Sequence, residues 1–147
     1  VTAGGQTPEA ERDPTECEYE VMYVNGPRVH RGARRGDFAL RVCDDYCMYT
    51  DSNGAWSIRT SPGDLIIDHL PSGRVLLSIS GPHRALAELI IDCVAVELDG
   101  CKRRSDAVDR SQAIGMHDWL EALAKNPERG ITFRQWKRRE SGGVCET

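Results

Sequence analysis

A chain of 147 residues, 39% hydrophobic and 29% charged with a formal charge of −4, has the size and balance of one globular domain. No segment repeats, and no apolar run approaches the roughly 18 residues that a membrane span needs. Six cysteines, Cys17, Cys43, Cys47, Cys93, Cys101 and Cys145, are even in number and irregular in spacing, which points to a disulfide framework and an oxidising, extracellular setting.

Charge is segregated along the chain. Residues 1–20 hold Glu9, Glu11, Asp13, Glu16, Glu18 and Glu20 against Arg12 alone, a net −5, so the remainder is about +1. Residues 1–15 are rich in Gly, Pro, Glu and Thr and predict a flexible acidic arm; residues 16–147 predict a single disulfide-stabilised domain. Glu18 to Val24 reads as a strand, broken by Asn25-Gly26-Pro27, and the Arg-rich stretch to Gly36 reads as a long loop. Phe38, Leu40 and Val42 alternate with Ala39, Arg41 and Cys43, as in a half-buried strand. Tyr46 to Thr50 and Ala55 to Thr60 flank Asp51-Ser52-Asn53-Gly54, a hairpin signal. A second hairpin runs from Asp64 to Leu70, turns at Pro71-Ser72-Gly73 and returns from Arg74 to Ser80.

The period then changes. Gly81-Pro82 sets a helix start, with proline where its missing N–H is harmless. From His83 to Leu98 only Arg84, Glu88 and Asp92 form a polar stripe, so this helix is expected to be the most buried element. A second helix is predicted between Ser111 and Lys125, with Met116, Trp119, Leu120 and Leu123 inward and Asn126-Pro127 as its stop. Ile131 to Arg138 reads as a last strand. The order predicts an α+β fold: an antiparallel β-sheet with two helices packed on one face, stabilised by disulfides.

Chemistry-bearing motifs are sparse. Cys43-Asp44-Asp45-Tyr46-Cys47 lacks the His or Cys doublet that would complete a zinc site, and neither a metal nor a cofactor is expected. If residues 43–47 are extended, the two Cα atoms stand about 13 Å apart, beyond direct bridging. Each would then need a distant partner. Cys93 is the candidate for one, and Cys17 or Cys101 is expected to pair with Cys145. Asp51-Ser52-Asn53-Gly54 opens like a calcium loop but lacks the later ligands. His69 and His117 are the candidate catalytic residues, each beside an aspartate. On a strand, however, Asp68 and His69 point to opposite faces. Secreted fungal ribonucleases set a Glu, a His and an Arg on one sheet face. His69, Arg59 and Arg74 are the nearest counterpart here, without an assignable acid.

Bases cluster at Arg28, His30, Arg31, Arg34 and Arg35, at Lys102 to Arg104, and at Arg134, Lys137, Arg138 and Arg139, the last being the candidate anion patch. Trp136 within it is a thin stacking platform for single-stranded nucleic acid. Solvated charge is the plainer reading, and nucleic acid is not the expected partner. Lys102-Arg103 and Lys137-Arg138 also match dibasic processing sites.

With its six cysteines and this element order, the chain resembles the small cysteine-rich effectors secreted by plant-pathogenic fungi and, more loosely, the killer toxins of smut fungi. The resemblance implies a secreted, monomeric, non-enzymatic effector or toxin-like protein that binds a host or target-cell component, a protein by preference. A secreted hydrolase such as a ribonuclease and a passive extracellular structural or adhesion module are the alternatives. A polar cleft around His69 or His117 would favour the hydrolase.

Overall fold

In the computed structural model, residues 16–50, 57–79, 85–126 and 130–141 are described. The acidic arm 1–15, the turn 51–54, the Gly81-Pro82 helix start and Cys145 lie outside them. Strands β1 (Glu16–Tyr23) and β2 (Gly26–Arg35) make a long antiparallel hairpin turned at Gly26, whose φ of 118° suits glycine. The Arg-rich stretch is therefore a strand and not the expected loop. One of its bases stands opposite an acid: Glu18 faces Arg31, whose guanidinium donates to Glu16 at 2.8 Å and Glu18 at 3.3 Å. Tyr19, Val21 and Tyr23 alternate with Glu16, Glu18 and Glu20, so one hairpin face is apolar and the other wet.

Strands β3 (Phe38–Val42), β6 (Leu65–His69) and β7 (Arg74–Ile79) complete an antiparallel sheet of order β1-β2-β3-β6-β7. Strands β4 (Cys47–Thr50) and β5 (Ser57–Thr60) pair separately, as the hairpin pattern predicts. β2 pairs with β3 only through Ala33–Arg35. Beyond Gly32 the β1–β2 hairpin leaves the plane. Near its tip Met22 N–H donates to Gly73 O at 2.9 Å and Val24 N–H to Met48 O at 3.2 Å. The hairpin thus folds back over the sheet toward the β6–β7 turn and β4.

This curl buries the sheet on both faces. One face holds Phe38, Leu40, Leu65 and Ile67 against the helices; the other holds Val21, Tyr23, Cys43, Tyr49, Ile66 and Val75. All five residues of β6 are buried, so β6 exceeds the helix expected to be the most enclosed element. That helix, α1 (Ala87–Glu97), buries Ile90, Ile91 and Val94 but leaves Val96 57% exposed.

Four helices, not two, are present among the described residues. After α1 come α2 (Arg104–Ala113), α3 (Met116–Lys125) and α4 (Phe133–Glu140). The single helix expected over 111–125 is divided because Gly115, at φ 78°, takes the left-handed conformation that interrupts a helix. Met116, Trp119, Leu120 and Leu123 are buried on α3 as expected. The strand expected over 131–138 is helix α4. Thr132 accepts from Gln135 N–H at 3.1 Å while the Gln135 side chain accepts from Thr132 N–H at 2.9 Å, a reciprocal cap that nucleates a helix.

No disulfide joins the described residues: Cys17, Cys43, Cys47, Cys93 and Cys101 carry free thiols. The antiparallel sheet with helices is thus present, while disulfide stabilisation is not seen. The sheet also sorts the thiols. Cys93 and Cys101 pack with the helical core, whereas Cys43 and Cys47 pack in the cluster on the opposite face. A bridge from Cys93 to either would have to cross the sheet, so the expected pairing does not fit this fold.

Candidate functional site

Helix α4 is amphipathic and short. Phe133 is buried near its start and Trp136 half-buried, while Arg134, Lys137, Arg138 and Arg139 are exposed. Phe133 meets Trp119 edge-on at 5.6 Å between ring centroids, and Trp119 Nε1–H donates to Ile131 O at 3.0 Å. These contacts fix α4 against α3 and aim its basic face outward along α1.

Two adjoining depressions run along the α1–α4 seam. The larger, about 640 Å³, is lined by Ile114, Phe133, Arg134, Lys137, Arg138 and Glu97. The smaller, about 410 Å³, is lined among others by Leu89, Cys93, Val96 and Phe133, and shares Glu97 and Arg134 with the first. The Arg134 Nε–Glu97 Oε2 ion pair at 2.9 Å lies where the two meet. Lys137 Nζ donates to Ile114 O at 2.7 Å and lies 5.9 Å from the Phe133 ring centroid. An apolar floor is therefore rimmed by guanidinium and ammonium groups. Three of the four residues of the candidate anion patch line this seam; Arg139 does not line either depression. Burial of the Cys93 thiol, in the wall of the smaller depression, pushes its pKa up and keeps it a neutral thiol.

Acids engage several members of the other basic runs. Arg35 pairs with Asp92, Lys102 with Asp37 and Arg103 with Asp106. Arg104 donates instead to the Val75 and Leu76 carbonyls of β7, covering part of a sheet edge. The three runs belong to β2, the entry of α2, and α4. Of the dibasic pairs, Lys102-Arg103 is exposed ahead of α2, while Lys137-Arg138 is inside α4.

The two candidate catalytic histidines lie apart. His69 is fully buried at the end of β6, with Nδ1 2.8 Å from Ser72 Oγ and Nε2 2.6 Å from the Cys101 carbonyl. Both ring nitrogens are committed to holding the β6–β7 turn and the α1–α2 connection together. Arg74 stands across from it on β7, but Arg59 lies elsewhere, so the three do not form one site. His117 is exposed on α3 and lines a cleft of about 500 Å³ with Arg59, Asp64, Ser57 and Ser78. Asp64 accepts there from Ser61 N–H at 2.8 Å.

Sequence reasoning missed a buried polar network on the second sheet face. Arg41 Nε donates to Asp68 Oδ2 at 2.7 Å, and Tyr19 OH donates to the same oxygen at 2.7 Å. Arg41 Nη2 also donates to Tyr49 OH at 3.2 Å, and Tyr49 OH donates to Tyr23 OH at 3.2 Å. Tyr23 OH, its oxygen accepting that hydrogen bond, donates its own O–H to His30 Nε2. Burial opposes charge on Arg41, but its hydrogen bond to Asp68 and that carboxylate's charge outweigh it and hold the guanidinium ionised. Burial, with the charge and hydrogen bond of Asp68, drives the Tyr19 pKa well up. Burial and the Tyr49 hydrogen bond do the same to Tyr23. Burial, aided by the charge of Arg41, lowers the His30 pKa. The detectable signal was positional: Arg41 and Asp68 fall on the second face of strands whose first face is already apolar. Reading β3 as half-buried concealed it.

Among the described residues no cluster of three or more His, Cys, Asp or Glu side chains is arranged to hold a metal ion. No helix there is long and apolar enough to cross a membrane. Comparison with family models, curated proteins and solved structures finds no match for this chain.

Proposed function

We propose that this protein is a secreted, non-enzymatic effector or toxin-like protein that acts by binding a component of a host or target cell. One observation carries the binding reading: the α1–α4 seam, an apolar floor of Ile114 and Phe133 under the cationic rim of Arg134, Lys137 and Arg138. The occupant that suits it is an acidic amphipathic segment of a partner protein. Its apolar anchors would cover the floor, and its carboxylates would meet the rim. Small anions or bare polyanions would leave the floor uncovered. The extracellular part of the reading rests on the cysteine count, with disulfide stabilisation of the fold as part of the same proposal.

Selection of displayed peptides against the full chain tests this. Enriched sequences should combine Leu, Phe or Trp with flanking Asp or Glu. Their affinity should fall at least tenfold, about 1.4 kcal/mol, when Lys137 and Arg138 are both changed to Glu. Enrichment without acidic residues, or binding indifferent to that reversal, overturns the reading. The His117 cleft with Arg59 and Asp64 favours a second reading, a hydrolase such as a ribonuclease. RNA cleavage by the purified chain, abolished in His117→Ala but kept in His69→Asn, would put that reading first.

A further inference from the structure

We infer that Cys43 and Cys47 form a disulfide when the folded protein meets a disulfide oxidant, fastening the β3–β4 connection beside β5. The inference stands independently of the α1–α4 seam. It rests on Thr60, which the Cys43 thiol touches and which is the register partner of Cys47. Cys43 Sγ lies 3.2 Å from Thr60 Oγ1. Cys47 is the residue directly across from Thr60 in the β4–β5 ladder. Side chains of directly opposed residues share a face, with Cβ atoms about 4.5–5.5 Å apart. Thr60 thus touches the Cys43 sulfur and stands directly across the ladder from Cys47, and both cysteines belong to the second-face cluster.

The backbone permits it. Residues 43–46 are not strand: the chain bends at Asp45, whose carbonyl accepts from the Cys43 thiol at 2.9 Å. The separation of about 13 Å that an extended segment would impose does not apply. Cys43 is meanwhile anchored to the β5–β6 loop, its N–H donating to Asp64 O and its C=O accepting from Gly63 N–H, each at 2.8 Å. The other described thiols are badly placed. Cys93 and Cys101 pack on the far side of the sheet. Cys17 lies six residues along β1 from Tyr23, the end nearest β4, and so about 20 Å away along the strand.

Half-buried Cys47 is the accessible thiol and buried Cys43 the resolving one. The Cys47 thiolate attacks one sulfur of glutathione disulfide, forming a mixed disulfide and expelling one glutathione thiolate. The Cys43 thiolate then attacks the Cys47 sulfur, breaks the mixed disulfide and expels the second glutathione. The two protein thiols are oxidised, their two protons pass to solvent, and one glutathione disulfide is reduced to two glutathione thiols.

Peptide mapping of the folded full chain tests the inference. The protein is treated with glutathione disulfide, blocked with iodoacetamide, denatured and digested with trypsin. Cleavage after Arg41 and Arg59 leaves both cysteines, and no other, in peptide 42–59. That peptide should be unalkylated and two hydrogens lighter than its reduced form, and should stay so in Cys93→Ser. In Cys47→Ser the bridge should be lost. Peptide 42–59 bearing two alkyl groups, one retained glutathione, or a link to the peptide of any other cysteine overturns the inference.

Discussion

Arg41 and Asp68 form the one ion pair among the described residues with both side chains buried, 5% and 1% exposed. Taking two charges out of water is costly, and here the cost is offset by Tyr19 and Tyr49, which complete the bonding of both partners. Arg41→Ala strands the Asp68 carboxylate and should destabilise the fold by about 3–5 kcal/mol, measured by urea unfolding. Replacing the group together, Arg41→Met with Asp68→Leu and Tyr19→Phe, removes the stranded charge and should recover most of that loss. Equal losses in both variants would mean that shape rather than charge governs the site. Gly32 shows how tightly the same face is built: a Cβ there would stand 2.6 Å from Leu40 O and 2.7 Å from Tyr19 OH. The pairing itself was not legible in the sequence, because Arg41 read as the polar member of a half-buried strand and its partner Asp68 lies 27 residues away. His69, a candidate catalytic residue in the sequence, is buried with both ring nitrogens engaged. The strand alternation that sets Asp68 and His69 on opposite faces was legible, whereas the Ser72 and Cys101 partners depend on the β6–β7 turn and the α1–α2 connection.

At the scale of elements, patterns with strict geometry were legible. Most of the strands and the inward face of α3 followed from alternation and from i, i+3, i+4 spacing. The elements that reversed expectation were those whose local signals competed. Ile131 and Phe133 sit two apart and suggest a strand, yet Thr132 and Gln135 form the T-x-x-Q cap of a helix, and the cap prevails. β2 carries four arginines and reads as a loop, yet its pairing along the whole of β1, with Arg31 bonded to Glu16 and Glu18, makes it the longest strand described. The cap gives α4 a specific vulnerability. Thr132→Ala should cost about 1 kcal/mol of stability in thermal or urea unfolding. Because α4 carries the basic rim, it should also weaken binding of a seam-directed acidic peptide. Thr132→Ser keeps the side-chain acceptor and should retain both. A Thr132→Ala protein unchanged in stability would show that packing of Phe133 alone specifies the helix.

For the molecule as a whole, the curled sheet divides the chain into a helical core that supports the seam and a second core threaded by tyrosines that ends at His30. Hydrophobic pattern reveals the first core, since its residues recur at one face of each element. The second depends on the β1–β2 hairpin folding back, which follows from long-range pairing that no local window contains. The arrangement gives stability a pH dependence. The groups acting on His30 are Tyr23, through the hydrogen bond, and the charges of Arg41, Asp68, Asp44 and Arg28. Burial and Arg41 dominate, so folded His30 titrates below its ordinary value of 6.5. Above that value His30 is neutral in both states and contributes no slope. As pH falls below it, the unfolded chain takes up a proton that the folded chain refuses, and stability drops until the folded pKa is passed. Protonation would also remove the Nε2 lone pair that accepts from Tyr23. Unfolding free energy measured from about pH 8 down to about pH 5 should therefore decline more steeply in the wild type than in His30→Gln, whose amide oxygen can accept from Tyr23 without titrating. The two curves should run parallel above about 6.5 and diverge below it. Parallel curves throughout would mean that His30 is as solvated in the fold as in the unfolded chain, and that the tyrosine chain ends in water.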